Sequence, residues 1–312
     1  MAFEASEFRD ATIQASVPVV SVRSLPLSAS NGRGEDLQVR VSAPVQGDAL
    51  PVIVFSHGFG SSMDAYGPLA DYWAAHGFVV VQPTHLDSSR LALASDDPRR
   101  KDFWRFRVAD IRRVLDELAA IIAAVPGLGE RADTFRIAVA GHSFGAWTAS
   151  MLLGARTRLD GKDRSDKRIT AGLLLAAGGL GGDSLTPMAV EHTPYLDTDF
   201  SELTVPTLVV RGDDDHSPLT TRGPDWFRDP YVYSPGAKAL LTLFGSKHML
   251  GGISGYRAAE TDYEDPRHVA LVQQASTAFL RSALHVDDRA WQELCQALPG
   301  TSNASGALEL KV

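Results

Sequence analysis

One cysteine, Cys295, stands among the 312 residues, so no intramolecular disulfide can form and no cysteine-based zinc cluster can be assembled. Its neighbours Trp291 and Leu294 suggest a packed thiol rather than a nucleophile. No apolar run reaches the roughly 18 residues that a membrane-crossing helix needs. An excess of cations is missing too. Thirty Lys and Arg face 38 Asp and Glu, a formal net charge of -8, which argues against a nucleic-acid or anionic-membrane partner. Residues 1–10 carry Glu4, Glu7 and Asp10 and no hydrophobic core, unlike a secretion signal, so the expected location is cytoplasmic. There is no internal repeat and no low-complexity linker, which favours one domain over residues 1–312. With 44% hydrophobic and 22% charged residues, the chain has the composition of a soluble protein with a core.

The pattern along the chain alternates short apolar strands with helical segments. Residues 19–27 and 36–45, parted by a turn-rich Ser/Asn/Gly loop, read as an antiparallel pair at a sheet edge. Buried strands are predicted at 52–56, 78–82, 137–141, 171–177, 207–211 and 238–244, each a near-continuous apolar run. Helical spacing marks 66–76, 103–125 and 270–284. In the second of these, Phe106, Ala109, Ile111, Val114, Leu115, Leu118 and Ile121 mark the buried side, and Arg105, Arg107, Arg112 and Arg113 a solvated face. The tail after Pro299 reads as loose. The expected architecture is α/β: a mainly parallel central sheet with an antiparallel N-terminal edge and helices on both faces. Periodicity is lost over 178–205 and 217–236, which read as excursions near the site, forming a cap or pocket.

In a parallel sheet, functional groups collect beyond the carboxyl ends of the strands. Here those ends carry His57-Gly-Phe-Gly60, His85-Leu-Asp87, Gly141-His-Ser-Phe-Gly145, Gly212-Asp-Asp-Asp-His216 and Ser246-Lys-His248. A serine between two glycines, at a break from strand to helix, is held in a tight turn that leaves no room for side chains at positions 141 and 145. A serine hydroxyl needs a base to take its proton, and that base needs an acid to fix its tautomer. Ser143, an aspartate of the 213–215 run and His248 follow one another in that order on separate strand exits. Asp215 is preferred as the acid, with Asp213 as the alternative. The amides of Phe144 and Phe59 are the candidate oxyanion donors. Leu185, Met188, Trp226 and Phe227 are candidate pocket walls for an apolar acyl or aromatic group. His57 is expected to order its loop, and His142 to pack under the turn. Four consecutive residues, Asp213 to His216, point in different directions and make a poor metal site; no metal ligand set is assigned.

The motifs His57-Gly-Phe-Gly-Ser-Ser62, Gly141-His-Ser-Phe-Gly145, Gly212-Asp-Asp-Asp215 and Ser246-Lys-His-Met249 resemble the α/β-hydrolase superfamily. Within it, the chain over about 52–284 is similar to the bacterial dienelactone-hydrolase-like, chlorophyllase-like and platelet-activating-factor-acetylhydrolase-like serine esterases. Dienelactone hydrolases themselves use cysteine, whereas this chain has Ser143. The resemblance implies the α/β-hydrolase fold and cofactor-free hydrolysis of a small-molecule ester through an acyl-enzyme. Amide, lactone and polyester bonds, or a non-catalytic ligand-binding role, stay open at this level, as do the natural substrate and the oligomeric state.

Overall fold

The structure, a computed structural model, describes residues 15–30, 32–255, 264–297 and 305–311. The chain begins with the hairpin β1 (Val19–Leu27) and β2 (Leu37–Pro44), followed by β3 (Leu50–Ser56), α1 (Gly67–Ala75) and β4 (Val79–Pro83). Next come α2 (Phe103–Asp116), α3 (Leu118–Ala123), β5 (Ala132–His142), α4 (Phe144–Leu152), the short β6 (Arg156–Thr157) and β7 (Ile169–Leu175). The second half holds α5 (Pro187–His192), β8 (Thr198–Asp199), β9 (Thr207–Gly212), α6 (Asp229–Tyr233), β10 (Ala237–Leu243), α7 (Pro266–Ala283), α8 (Arg289–Ala297) and β11 (Gly306–Leu310).

Nine strands form one sheet in the order β1-β2-β4-β3-β5-β7-β9-β10-β11. From β4 to β10 every pairing is parallel; β1, β2 and β11 run antiparallel at the two edges. Every residue of β3 and β4 is buried, as the unbroken apolar runs require when helices cover both faces. The solvent-facing residues of β1, by contrast, belong to an edge. On one side α1 and α7 are tied by Trp73 Nε1 donating to Ser276 Oγ at 2.9 Å. On the other, Trp104 of α2 meets Trp147 of α4 edge to face. α7 starts where Asp265 caps the Arg267 amide and Pro266 supplies a pre-set φ.

Three expectations need correction. The helix expected over 103–125 is interrupted at Glu117, although Ile121 N still donates to Glu117 O and Arg113 pairs with Glu117. Its phase also differs: Ala109 is exposed and Phe106 half-buried, whereas Phe103, Trp104, Arg107, Val108, Asp110 and Ile111 turn inward. Arg107 therefore does not lie on a solvated face; its side chain is wholly buried. The tail is not loose where it is described, since 306–310 pairs with β10 and buries Leu308. The rest of that tail, 298–304 and 312, lies outside the described residues.

The two excursions fold against each other. Thr186 N donates to Leu219 O, Thr221 N to Ser184 O, and Trp226 Nε1 to Leu180 O. Asp229, buried, accepts from Leu180 N and pairs with Arg222. Among the described residues no helix is long and apolar enough to cross a membrane.

Candidate active site

β5 delivers Ser143 at its carboxyl end, and α4 starts at the next residue. Ser143 has φ 55° and ψ -119°, a backbone conformation that L-residues rarely adopt. The Ser143 amide donates to Leu175 O of β7 at 2.9 Å, and Ser143 O accepts from Trp147 N at 3.0 Å, the first hydrogen bond of the helix. A methyl group at Gly141 would collide with the carbonyl of Gly145, and one at Gly145 with the carbonyl of Ser56. The two glycines are thus demanded by close backbone approach on both sides of the serine.

β9 and β10 bring the other two groups to the same end of the sheet. Asp213 N donates to Leu243 O and Asp214 N to Ser246 O, so the aspartate turn and the histidine loop are stitched backbone to backbone. A Cβ at Gly212 would collide with Ser246 O. His248 Nε2 lies 2.8 Å from Ser143 Oγ, and His248 Nδ1 lies 2.9 Å from Asp215 Oδ2. Because the carboxylate oxygen accepts, Nδ1 carries the proton and Nε2 is free to accept from the serine hydroxyl. Asp215 is fully buried. Asp213 instead turns its carboxylate to the Gly245 amide at 2.5 Å, and Asp214 is exposed beside His216. This arrangement can deprotonate Ser143 as it attacks an acyl carbon and return the proton to a leaving group.

The two amides expected to serve as oxyanion donors lack hydrogen-bond acceptors among the described residues. Phe144 opens α4, so its N–H has no intrahelical acceptor. In the 57–60 loop, Gly58 N donates to Tyr66 Oη and Gly60 N to Asp87 Oδ2, while the Phe59 amide has no partner among the described residues. The Phe59 ring stands out in solvent, 6.3 Å from that of Phe144. Phe227 packs 5.8 Å from the His248 ring, and Trp226 lies buried behind it against Gly178. Leu185 is buried, bridging to Thr220, and Met188 is exposed on α5. Tyr195 stacks on Phe144 at 5.5 Å and on Trp104, adding an aromatic wall that spacing alone did not single out.

Two buried polar assemblies support these loops. The first joins the His248 loop to the 57–60 loop. Gly58 N donates to Tyr66 Oη, Tyr66 Oη donates to His142 Nδ1 at 2.9 Å, and His142 Nε2 donates to His248 O at 2.8 Å. Burial, together with the neighbouring His248, pushes His142 down to about 3, so it stays neutral and keeps this one tautomer. Removing the phenol leaves a buried amide and a buried ring nitrogen unpaired. Tyr66→Phe is therefore expected to lower the unfolding free energy by about 1–3 kcal/mol in a urea titration.

The second assembly surrounds Arg107. Its guanidinium is buried with Asp87, at 2.8 Å from Nε to Oδ1 and 2.7 Å from Nη2 to Oδ2. Burial pushes the Asp87 carboxyl up, but the charge and hydrogen bonds of Arg107 outweigh it and hold the group below the usual carboxylate range. His57 and His85 sit beside the pair, and burial, reinforced by Arg107, lowers both far below the ordinary histidine range. Their tautomers follow from their partners. His57 Nε2 accepts from His85 N, so Nδ1 donates to Gly58 O; His85 Nδ1 donates to Asp110, so Nε2 accepts from Ser56 Oγ. Burial lifts Asp110 to about 6 against the pull of Arg33. Arg107 could have been found from its phase. It falls three residues after Trp104 and four before Ile111, inside the apolar stripe, where a charge must have a buried partner.

With this geometry in view, the chain matches the alpha/beta hydrolase family over residues 53–305 and belongs to it. That places it in a family of mainly hydrolytic enzymes, on the central sheet described above. Comparison with curated proteins finds no match.

Proposed function

We propose that this protein is a serine hydrolase that cleaves carboxylic esters through an acyl-enzyme. The observation that carries this is the unbroken line Ser143 Oγ, His248 Nε2, His248 Nδ1, Asp215 Oδ2, with links of 2.8 and 2.9 Å. His248 takes the Ser143 proton as Oγ bonds to the ester carbon, and the Phe59 and Phe144 amides receive the oxyanion. His248 then protonates the leaving alkoxide as the carbon–oxygen bond breaks, leaving an acyl-serine. Water, deprotonated by the same histidine, releases the acid and restores Ser143.

The aromatic surroundings favour an uncharged acyl or aryl group. Phe59, Phe144, Tyr195 and Phe227 gather around the serine and histidine. Leu185, Met188, Trp226 and Phe227 remain the proposed pocket walls. In the same reading the excursions 178–205 and 217–236 cap a single domain, and the chain falls with the dienelactone-hydrolase-like, chlorophyllase-like and platelet-activating-factor-acetylhydrolase-like esterases. The direct test is labelling with a fluorophosphonate probe, with peptide mapping of the adduct. Modification of Ser143 that is lost in Ser143→Ala, together with turnover of p-nitrophenyl esters, is the expected result. Absence of an adduct would favour a ligand-binding role. A matched series of esters, amides, lactones and polyester oligomers then ranks the acyl bonds.

A further inference from the structure

The 57–60 loop is short, and two of its four residues are glycine, so its peptide planes depend on hydrogen bonds for their direction. Gly58 O accepts from His57 Nδ1 at 2.7 Å and from Ser61 N at 3.2 Å, and one side chain from α2 ties that carbonyl to the rest of the loop's surroundings. All five N–H groups of Arg107 are used: Nε and one Nη2 hydrogen on the two oxygens of Asp87, the other on Gly58 O at 3.1 Å. Nη1 reaches His57 O at 2.7 Å and Ser56 Oγ at 3.4 Å. The Gly58 carbonyl belongs to the same planar, trans peptide unit as the Phe59 N–H, so the two point in opposite directions. Gripping that carbonyl from the Arg107 side aims the Phe59 N–H away from it. Asp87 Oδ2, itself held by Arg107, fixes the next peptide through the Gly60 amide at 3.1 Å. The same guanidinium lies 4.3 Å from the centre of the Phe144 ring, on the residue that supplies the second amide.

We infer that Arg107, braced by Asp87, is the positioning residue of the oxyanion hole, setting the direction of the Phe59 N–H and seating Phe144 from beneath. It touches no substrate and acts only through the two donors. The inference rests on the esterase reading of the site.

Arg107→Lys keeps the charge but offers three donors from a single point, too few and too compact to span the five acceptors now served. Steady-state kinetics on a p-nitrophenyl ester and inhibition by a trifluoromethyl ketone, which forms an oxyanion on the serine, separate positioning from mere folding. For Arg107→Lys, kcat is expected to fall about 10²–10³-fold, as when a hole donor is lost. KM should stay within about three-fold, and the inhibition constant of the ketone should rise by the same factor as kcat falls. Asp87→Asn, which removes the brace but keeps the side-chain shape, should shift both quantities in the same direction. Val114→Ala, a buried change on the same helix, about two turns beyond Arg107, serves as a control for loss of stability. The inference is overturned if folded Arg107→Lys and Asp87→Asn retain kcat and ketone affinity. It is equally overturned if their losses follow only the folded fraction, as in Val114→Ala. A wild-type enzyme that neither reacts with fluorophosphonate nor binds the ketone would overturn the esterase reading itself, so the two failures are told apart.

Discussion

Turnover of a p-nitrophenyl ester is expected to fall by about 10⁶ in Ser143→Ala and by about 10⁴ in Asp215→Asn, and to change by only a few-fold in Asp213→Asn. The first figure follows from removal of the atom that would form the acyl bond; what survives is binding and the oxyanion amides. The second follows from the hydrogen bonding of Asp215. Among the described residues its carboxylate has one hydrogen-bond partner, His248 Nδ1 on Oδ2, and Oδ1 receives none. An amide at 215 keeps the volume but can present its NH₂ to Nδ1, which turns the imidazole to the tautomer with its proton on Nε2. That tautomer faces Ser143 Oγ with a donor and cannot take the serine proton. The fold should be unaffected, because nothing else leans on this side chain. Asp213 holds the Gly245 amide instead, so its replacement loosens a turn without touching the histidine. Measuring kcat and the melting temperature together distinguishes the cases. Equal losses in the two aspartate variants, or a Ser143→Ala protein with wild-type turnover, would refute the proposed roles.

Ser143 and His248 are legible in the sequence because their signals are local: an apolar strand that breaks at a glycine-flanked serine, and another that breaks just before a histidine. The parallel sheet follows from apolar runs of five to seven residues alternating with helical periods. The choice among Asp213, Asp214 and Asp215 is only partly legible: the Gly212-X-X-Asp spacing favours Asp215 over Asp213, but three consecutive carboxylates on a turn differ chiefly in direction. The stitching of that turn to the histidine loop settles the directions, and it spans about 30 residues of sequence. Arg107 is only partly legible for a related reason: its phase beside Trp104 and Ile111 points inward, but its charge points out. A charge on a helix reads as solvent-facing unless its partner is visible, and Asp87 lies 20 residues upstream at the exit of another strand. The Tyr66–His142 link is hidden in the same way, its members 76 residues apart. β11 escaped notice because Gly306-Ala-Leu-Glu-Leu310 has little strand propensity of its own and takes its conformation from pairing with β10.

Between pH 7.5 and pH 5 the buried histidines bracing the site, offset by Asp110, are expected to cost the protein about 4–5 kcal/mol of unfolding free energy, with a net uptake by these groups of about two protons on unfolding near pH 5. The source is the set of buried histidines that brace the site. His57, His85 and His142 each use one ring nitrogen as acceptor and the other as donor, so a second proton would bring two donors face to face. Burial, first, and then the neighbouring positive groups keep all three far below the ordinary value in the folded protein. In the unfolded chain they titrate near 6.5. Below that pH the unfolded state binds protons that the folded state refuses, and stability falls as pH falls, by about 2 kcal/mol per histidine at pH 5. Asp110 works in the opposite sense. Its carboxyl is pushed up to about 6 when folded, so at pH 5 the folded state holds a proton that the unfolded state has lost, which returns about 1.4 kcal/mol. Asp87, held low by Arg107, adds a further loss only as pH falls through the ordinary carboxylate range, about 4 and below. Urea titrations at half-unit pH steps measure the slope directly. His142→Gln, which substitutes a group that does not titrate, should remove about one proton from it. A stability that is flat from pH 7.5 to 5 would mean that these three rings are not held neutral. Because the folded state keeps these rings neutral, the contacts they make to Gly58 and the His248 carbonyl persist in acid for as long as the protein stays folded.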